Sequence, residues 1–255
     1  RGKERYTTMI LASKTGYVDV VSLFIRKGAD VNAVDAYKYT ALHFSALYGH
    51  VDVVNVLIRN GADVNAVQIN KWTALHYASL GGHNDVVTVL LRNGADVNAV
   101  DKDKWTSLHV VAQNGHVDVA KSLIQGNADV NAVDNSKRTA LHLAAWKGCV
   151  DLTNVLIRNG ADVNAVDISK STALHYAAQY GRVGVTYVLI QNRADVNAVD
   201  KDKWTALHVA SSEGHVDVVK ILLENGADLN AVTKRNKTAL DLASNHPDEI
   251  GRAHV

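Results

Sequence analysis

Ala62-Asp63-Val64-Asn65-Ala66-Val67, followed six residues later by Thr73-Ala74-Leu75-His76, is the stretch that decides the fold, because both strings return along the chain. The first string begins at Ala29, Ala62, Ala95, Ala128, Ala161 and Ala194, and returns with Leu in place of the first Val from Ala227. The second begins at Thr40, Thr73, Thr139, Thr172 and Thr205, and returns with Ser in place of Ala from Thr106. Every step is 33 residues without insertion or deletion. A fixed period of this size is typical of a solenoid, in which each unit buries its apolar face against its neighbours.

The period covers the whole chain, and we predict a single domain over residues 1–255. Counted from the residue after each Ala-Val pair, the repeats are 2–34, 35–67, 68–100, 101–133, 134–166, 167–199, 200–232 and a truncated capping repeat, 233–255. The first repeat has Thr7-Thr8-Met9-Ile10 where the others have Thr-Ala-Leu-His, so we interpret it as diverged. The string Asp101-Lys102-Asp103-Lys104-Trp105 returns 99 residues later, which indicates duplication of a three-repeat block.

Within repeat 35–67 the residues predict two short helices joined by a turn. Thr40 can cap a first helix over 41–48, and Gly49 supplies the left-handed residue that ends it. A second helix over 51–59 carries its apolar residues at helical spacing, and an extended loop then leads to the next repeat. Helices this short are unstable alone. The sequence therefore predicts an all-α fold of stacked helix–turn–helix units, each with a loop or β-turn finger.

The repeat resembles the ankyrin repeat, whose period and whose Thr-x-Leu-His, Gly-His and Gly-Ala-Asp-Val-Asn motifs recur along essentially the whole chain. The resemblance implies an ankyrin-repeat solenoid of about seven full repeats and a truncated last one. The chain departs from the family pattern at two positions, since Ala or Ser replaces Pro between Thr and Leu, and Lys replaces the loop-tip Gly. The tip residues are Lys38, Lys71, Lys104, Lys137, Lys170 and Lys203. Because a non-Gly residue at positive φ is uncommon, these tips are either strained or built on another turn.

Composition excludes several classes of partner. The 255 residues contain 27 Lys and Arg against 26 Asp and Glu, a net charge of +1, which gives no broad attraction to nucleic acid. No apolar run is long enough to cross a bilayer, so we expect no direct membrane insertion. The single Cys149 excludes an internal disulfide and fits a reducing compartment. We expect a cytoplasmic or nuclear monomer that binds neither nucleic acid nor membrane.

Histidine is the residue type most able to carry chemistry, but its spacing argues against a metal site. Of twelve His, six lie in the Thr-x-Leu-His strings and four follow a helix-ending Gly. Neighbouring repeats stand about 8–10 Å apart, whereas zinc needs nitrogens about 2 Å from the ion. We therefore expect each imidazole to hydrogen-bond to loop backbone between repeats. Nucleotide-binding and hydrolase motifs are also absent from the sequence, so we expect no catalytic residues, no cofactor, no metal and no enzymatic activity.

The resemblance also implies one modification. Ankyrin repeats with Leu eight residues before the Asn of a Val-Asn pair are substrates of an asparaginyl hydroxylase. The residues that match this pattern are Asn65, Asn98 and Asn164. We expect hydroxylation to tune stability or turnover and not to create an activity.

The repeats serve as their own control for partner binding. Positions that stay constant build the array, whereas positions that vary between similar repeats are free to be shaped by a partner. The variable positions cluster at the loop tip and at the end of the first helix, two regions that line the concave, partner-binding surface of ankyrin proteins. The candidate partner-binding residues are Tyr37, Tyr39, Leu47, Tyr48, Ile69, Trp72, Leu80, Lys102, Asp103, Trp105, Gln113, Arg138, Trp146, Lys147, Tyr180, Lys201, Asp202 and Trp204.

All four Trp belong to this set, and Trp, Tyr and Arg dominate binding hot spots. The alternative is that each indole packs on the neighbouring loop and only stiffens the array. We interpret the chain as a non-enzymatic interaction module or scaffold that binds a protein partner on its concave face. Two other interpretations stay open. One is an engineered or consensus-derived ankyrin scaffold or binder, and the other is a regulatory ankyrin fragment of a larger enzyme, channel or effector.

Repeat 167–199 is predicted to be the weakest internal repeat. Gly184 lies inside its second helix, where Gly costs about 1 kcal/mol relative to Ala. Arg193 stands where most other repeats have a helix-ending Gly. We expect Gly184→Ala together with Arg193→Gly to raise stability.

Overall fold

The computed structural model describes residues 2–243, which form fifteen helices and no β-strand. The helices are α1 (Gly2–Thr15), α2 (Val18–Arg26), α3 (Ala41–Leu47), α4 (Val51–Arg59), α5 (Ala74–Gly81), α6 (Asn84–Arg92), α7 (Ser107–Asn114), α8 (Val117–Gln125), α9 (Ala140–Lys147), α10 (Val150–Arg158), α11 (Ala173–Gln179), α12 (Val183–Gln191), α13 (Ala206–Ser212), α14 (Val216–Glu224) and α15 (Ala239–Ala243). The predicted all-α fold class is confirmed. In repeat 35–67 the second helix has its predicted bounds, and the first ends one residue earlier than expected.

The chain divides into two compact units, Arg1–Asp129 and Val130–Val255. In the first unit, α1, α3, α5 and α7 pack side by side in that order, and α2, α4, α6 and α8 form a second row. In the second unit, α9, α11, α13 and α15 form one row, and α10, α12 and α14 form the other. Each unit is therefore a two-layered stack of helix pairs. Residues 244–255 of the predicted capping repeat lie outside the described residues.

Each first helix from α3 to α13 begins with a capping box made by the Thr-x-x-His string. The His43 backbone N–H bonds the Thr40 hydroxyl at 3.4 Å, and the Thr40 N–H bonds His43 Nδ1 at 3.1 Å. The imidazole takes the place that Glu or Gln usually fills in this motif. At the end of the array Asp241 does the same, since its carboxylate accepts from the Thr238 N–H at 2.8 Å. The predicted Thr cap is confirmed.

The turn between the two helices of a repeat depends on a glycine for two reasons. Gly49 has a φ of 74°, and a Cβ built on it would lie 2.6 Å from Nδ1 of His83 in the next repeat. A larger residue would therefore meet both backbone strain and a steric clash. Because Gly49 has no side chain, His83 Nε2 can lie 3.0 Å from the Leu47 carbonyl oxygen and hydrogen-bond to the end of the preceding first helix.

Apolar residues at constant positions supply the core of each unit. Every first helix from α3 to α13 buries the Leu of Thr-x-Leu-His, for example Leu42 and Leu75 at 1% exposure. Every second helix from α4 to α14 buries at least one Leu completely, for example Leu57 and Leu90 at 0%. Full burial of one such side chain stabilises the fold by about 1.5–3 kcal/mol. The two helix layers of a repeat are held together mainly by these residues.

The structure shows whether the loop tips with lysine are strained or built on another turn. Their φ values lie between 58° and 66°, so these residues adopt the left-handed conformation that the family's Gly would occupy. Below the tip, Asp35 Oδ1 accepts hydrogen bonds from the backbone N–H groups of Tyr37, at 2.8 Å, and Tyr39, at 2.9 Å. The turn type of the family is thus kept, and a carboxylate stabilises it. The tip lysine itself is strained, because a non-Gly residue disfavours positive φ.

Repeat 167–199 has the features expected of a weak repeat. Gly184 lies inside α12, and Arg193 has a φ of 67°. A Cβ on Gly184 would lie 2.8 Å from Val150 Cγ2 on the neighbouring helix, so the valine must shift to admit a methyl group. The gain from Gly184→Ala together with Arg193→Gly stays a prediction, and we expect the close approach of α10 to reduce the part that Gly184→Ala contributes.

Candidate partner-binding surface

In the first unit, four aromatic side chains from loop tips and first helices form one cluster. The Tyr39 ring centroid lies 5.1 Å from that of Phe44 and 5.7 Å from that of Tyr77. Trp72 joins the other side of Tyr77 at 5.1 Å, and the hydroxyls of Tyr39 and Tyr77 lie 2.9 Å apart. Burial and the hydroxyl pair raise the pKa of Tyr77, so the phenol stays neutral and serves as a hydrogen-bonding group.

Trp72 is half-buried and bonded on two sides. Its indole N–H donates to Asp101 Oδ2 in the next loop at 2.9 Å, and its carbonyl oxygen lies 3.1 Å from His43 Nε2. The ring is therefore attached to a neighbouring loop, and it also lines an open groove.

The groove in question has a volume of about 610 Å³. Among the predicted candidates it is lined by Tyr39, Trp72, Leu80, Lys102 and Asp103. Sequence reasoning missed its other lining residues, Gln68, Asn70, Tyr77 and Asp101. Gln68 replaces the loop Asp of other repeats, and its side-chain amide donates to the Tyr77 hydroxyl at 2.9 Å. That substitution at a nearly constant position was the signal available in the sequence.

The remaining candidates of the first unit differ in exposure. Tyr37, Tyr48 and Ile69 are 62%, 44% and 50% exposed, and Gln113 is exposed as well. Leu47 is half-buried, and so is Trp105, whose ring centroid lies 6.0 Å from that of His109. The exposed aromatic surface is therefore supplied mainly by tyrosines, while the tryptophans are partly committed to packing.

In the second unit, Arg138 takes part in a local ion pair. Its guanidinium lies 2.7 Å from Asp134 Oδ2, and its backbone N–H donates to Oδ1 of the same carboxylate at 2.8 Å. In the next repeat, Asp167 Oδ1 likewise accepts from a backbone N–H, that of Ser171, at 2.9 Å. Its Oδ2 accepts from the Tyr176 hydroxyl at 2.9 Å and, within residues 2–243, forms no ion pair with an arginine. Arg138 is half-buried, so its charge is partly used to hold its own loop.

The first-helix ends of α9 and α11 contact one another. The rings of Trp146 and Tyr180 meet edge to face with centroids 6.1 Å apart, and Arg182 Nε donates to the Trp146 carbonyl at 3.1 Å. Arg182 thereby replaces the His that follows Gly in other repeats. Tyr180 remains 41% exposed and Lys147 is exposed. These side chains give the second unit an aromatic surface with a cation beside it.

A second groove, of about 640 Å³, lies near the end of the array. Asp202 and Trp204 are the predicted candidates that line it, while Lys201 is exposed on the adjacent tip. The lining residues not predicted are Ser171, His175, Gln179, Asp200, Val209, Glu213, Thr233, Lys234, Arg235, Lys237 and Leu242. Lys234 and Asp202 lie 3.5 Å apart, but both are exposed, so this pair contributes little to stability.

The asparagines of the Asp-Val-Asn strings link neighbouring repeats. Asn65 donates from its side-chain amide to the Gly94 carbonyl at 3.0 Å and accepts from the Asp96 N–H at 2.8 Å. Asn98 and Asn164 make equivalent pairs of bonds. Sequence reasoning missed this ladder, although the constancy of the Asn was visible. The loop carboxylate of the same string fixes the local turn, since Asp63 Oδ1 accepts from the Asn65 N–H at 2.9 Å.

The histidines of the capping boxes are held in one neutral form. In His43 and His76, Nδ1 accepts from a Thr N–H while Nε2 faces a carbonyl oxygen of the next loop, at 3.1 Å in both cases. A carbonyl only accepts, so Nε2 carries the hydrogen. Burial lowers the pKa of both imidazoles below the ordinary 6.5. The predicted hydrogen bonds to loop backbone are confirmed.

Residues 2–243 contain neither a metal-binding cluster nor a helix that could cross a bilayer. No three His, Cys, Asp or Glu side chains in this part of the chain come together in an arrangement that could hold a metal ion. None of the helices described has both the length and the apolar composition needed to cross a bilayer.

Comparison with known proteins gives the same architecture. The family model described as "Ankyrin repeats (3 copies)" matches residues 8–101, 75–167 and 174–252, and "Ankyrin repeats (many copies)" matches residues 147–190. Among solved structures, the crystal structure of the human ASB11 ankyrin repeat domain is 27% identical, with a TM-score of 0.79. The match covers 86% of this chain and 98% of that domain. A comparison with curated protein sequences finds no significant match.

Proposed function

The chain belongs to the ankyrin-repeat family, and from that premise we propose that it is a non-enzymatic module that binds a protein partner. The prediction of an ankyrin-repeat solenoid is confirmed, and ankyrin repeats are generally protein–protein interaction modules. The surface we assign to the partner carries the loop tips and the ends of the first helices, which is the concave surface in ankyrin proteins.

The observation that carries this proposal is that large exposed side chains stand where the repeats vary. In the first unit Tyr37 and Tyr48 are 62% and 44% exposed, and in the second Tyr180 is 41% exposed. The constant Thr, His, Leu and Asn positions have structural roles, because they cap helices, fill the core or link loops. Tyrosines at variable positions supply large contact areas at low entropic cost, and aromatic anchors of this kind can each contribute about 2 kcal/mol or more to binding.

A non-enzymatic role is supported by how the histidines are used. Both ring nitrogens of His43 and His76 are taken up by neighbouring backbone groups. A general base needs a free nitrogen within reach of its substrate. We therefore assign these side chains to structure alone.

We propose that residues 1–255 act as one ankyrin domain, as a cytoplasmic or nuclear monomer, without affinity for nucleic acid. Hydroxylation of Asn65, Asn98 and Asn164 also remains a proposal. Each of these amides bonds two groups of the next repeat, so the loop must open before an enzyme can take the side chain, and modification would report on loop stability.

Affinity capture with paired variants tests the proposed function. The immobilised chain is incubated with cell extract, and the bound proteins are identified by mass spectrometry. Tyr37→Ala/Tyr48→Ala should reduce recovery of a specific partner by at least about tenfold, since two exposed anchors are lost. Val20→Ala/Leu23→Ala is the matched control, because these side chains are 36% and 48% exposed on the second helix α2. Equal recovery with both double variants, each folded by circular dichroism, would contradict the assignment.

A further inference from the structure

The lysines at the loop tips are constant without a structural reason for being lysine. All six are exposed, with φ between 58° and 66°, a conformation that Gly adopts without strain. Within residues 2–243 none of their ammonium groups makes a hydrogen bond or an ion pair. Packing therefore gives no account of why this residue type recurs, and the backbone disfavours it.

Duplication of the three-repeat block does not explain the recurrence either. Lys71 and Lys170 are 99 residues apart, yet their flanking residues have changed from Asn70 and Trp72 to Ser169 and Ser171. Lys38 and Lys137 show the same behaviour, because Tyr on both sides has become Ser and Arg. The two neighbours have drifted while the strained lysine between them has stayed. A side chain retained in this way against its own backbone is expected where it has a function.

The tips carry an excess of positive charge in each unit. Among the exposed residues at positions 36–38, 69–71 and 102–104 there are four Lys and one Asp. At positions 135–137, 168–170, 201–203 and 234–236 there are six Lys or Arg and one Asp. The half-buried or buried carboxylates below the tips, such as Asp35 and Asp101, reduce this excess without cancelling it. Although the net charge of the whole chain is only +1, the loop tips of each unit therefore form a row of positive charge.

We propose that each row of tip lysines binds an acidic, extended segment of a protein partner. This inference rests on the proposed function and names the chemistry of the partner. Successive repeats stand about 8–10 Å apart, and an extended chain in the polyproline II conformation advances about 3.1 Å per residue with every third side chain on the same face. An acidic side chain at every third residue therefore meets one lysine per repeat. Three contacts in each unit fix the register of the segment.

A polypeptide fits these rows better than nucleic acid because the same loops also expose apolar side chains. Each loop keeps an exposed valine four residues before the tip lysine, for example Val34 at 51% and Val67 at 46%. Ile69 and Ile168 add further apolar surface at 50% and 66%. Apolar side chains between the acidic ones can cover these residues, whereas a phosphate backbone cannot.

Selection from random peptides of about twelve residues displayed on phage tests the proposal on the full chain. The expected result is enrichment of Asp or Glu at three-residue intervals. A selected peptide labelled with fluorescein should then bind about tenfold more weakly to Lys38→Gly/Lys71→Gly/Lys104→Gly than to the parent, with the second row removed from parent and variants alike by Lys137→Gly/Lys170→Gly/Lys203→Gly, and more weakly at high salt. Gly relieves the strained φ, so this variant should melt at a higher temperature than the parent. A loss of peptide binding by this variant could then not be caused by unfolding.

Arg26→Gln/Arg59→Gln/Arg92→Gln is the matched control, because it removes three exposed cations from the second helices of the same unit. This variant should retain parental affinity. Selection without acidic enrichment, equal losses in both triple variants, or full retention after lysine removal would each overturn the proposal. Tighter binding of a single-stranded oligonucleotide than of the selected peptide would also overturn it. None of these results would affect the tyrosine variants, whose capture experiment tests the protein-binding function separately.

Discussion

The indole N–H of Trp72 donates a hydrogen bond to the Asp101 carboxylate at 2.9 Å, so a side chain on the proposed binding surface also ties one repeat to the next. The corresponding indole of Trp204 faces a repeat that has Thr233 in place of the Asp, and its N–H bonds no described residue. Substitution of Trp72 therefore changes stability as well as surface. Trp204 and the exposed tyrosines are the cleaner sites for a binding test.

Replacing Trp72 with Phe should lower the free energy of unfolding by about 1 kcal/mol, because a half-buried carboxylate loses a hydrogen-bond donor. Trp204→Phe is the matched change without such a bond and should cost less. Urea unfolding followed by circular dichroism measures both. Equal losses would show that the Trp72–Asp101 bond does not contribute to stability.

Thr186→Val should raise the free energy of unfolding by about 1 kcal/mol. The Thr186 hydroxyl is buried in α12 and bonds no other group, whereas the equivalent positions Val54 and Val87 are fully buried valines. Thr153→Val is the control, since its hydroxyl donates to the Cys149 carbonyl at 2.8 Å. A gain of the same size in both variants, measured by thermal unfolding, would mean that the missing hydrogen bond is not the cause.

Gly184→Ala alone should give little or no gain in stability, because its methyl group would meet Val150 Cγ2 at 2.8 Å. In a Val150→Ala background the same change should gain about 1 kcal/mol from helix propensity. A double-mutant cycle by urea unfolding measures the difference, which should be favourable when the valine is shortened. Arg193→Gly, which relieves a φ of 67°, should stabilise either background. A full gain from Gly184→Ala in the parent would refute the steric account.

Stability should fall as the pH drops below about 6.5. Burial lowers the pKa of His43, His76, His142 and His175 in the folded chain below the ordinary 6.5 that they regain on unfolding. The unfolded chain therefore binds more protons in this range, so acid favours unfolding. The histidine contribution is fully present above pH 6.5, and its loss is complete below the folded pKa values.

Gln should keep the capping geometry of His76 without titrating, since Gln is a natural residue at this position of a capping box. The His76→Gln variant should therefore lose stability less steeply than the parent between pH 7 and pH 5. Denaturant unfolding at a series of pH values measures this slope. Identical slopes in the variant and the parent would contradict the assignment of His76 as a buried neutral group.

Much of the fold could be predicted from the sequence, because each sequence signal for a helix cap or turn recurs in several repeats. Thr40 and His43 recur as a spaced pair, and the structure joins them in a capping box. Gly49 was identified as a helix end from its position alone, and its φ of 74° agrees. Local rules of this kind depend on residues close in sequence, and recurrence separates them from chance.

Contacts between repeats could not be derived in the same way. The bonds of Asn65 to Gly94 and Asp96 join residues about 30 positions apart, and nothing in the local pattern names the partner. The close approach of Gly184 to Val150 depends on the distance between two helices. The half-burial of Trp72 likewise follows from Tyr77 and Asp101 on neighbouring elements. Constancy marked the Asn position as important, but the contacts of all three residues follow only from three-dimensional packing.

Site-specific photocrosslinking tests the binding surface most directly. Tyr180 and Tyr187 belong to the same repeat and are 41% and 54% exposed, but Tyr180 ends the first helix whereas Tyr187 lies on the second. Each is replaced in turn by p-benzoylphenylalanine, and the folded chain is irradiated in cell extract. We expect a discrete crosslinked protein from position 180 and none from position 187. A crosslink to the same protein from position 187, with none from position 180, would contradict it.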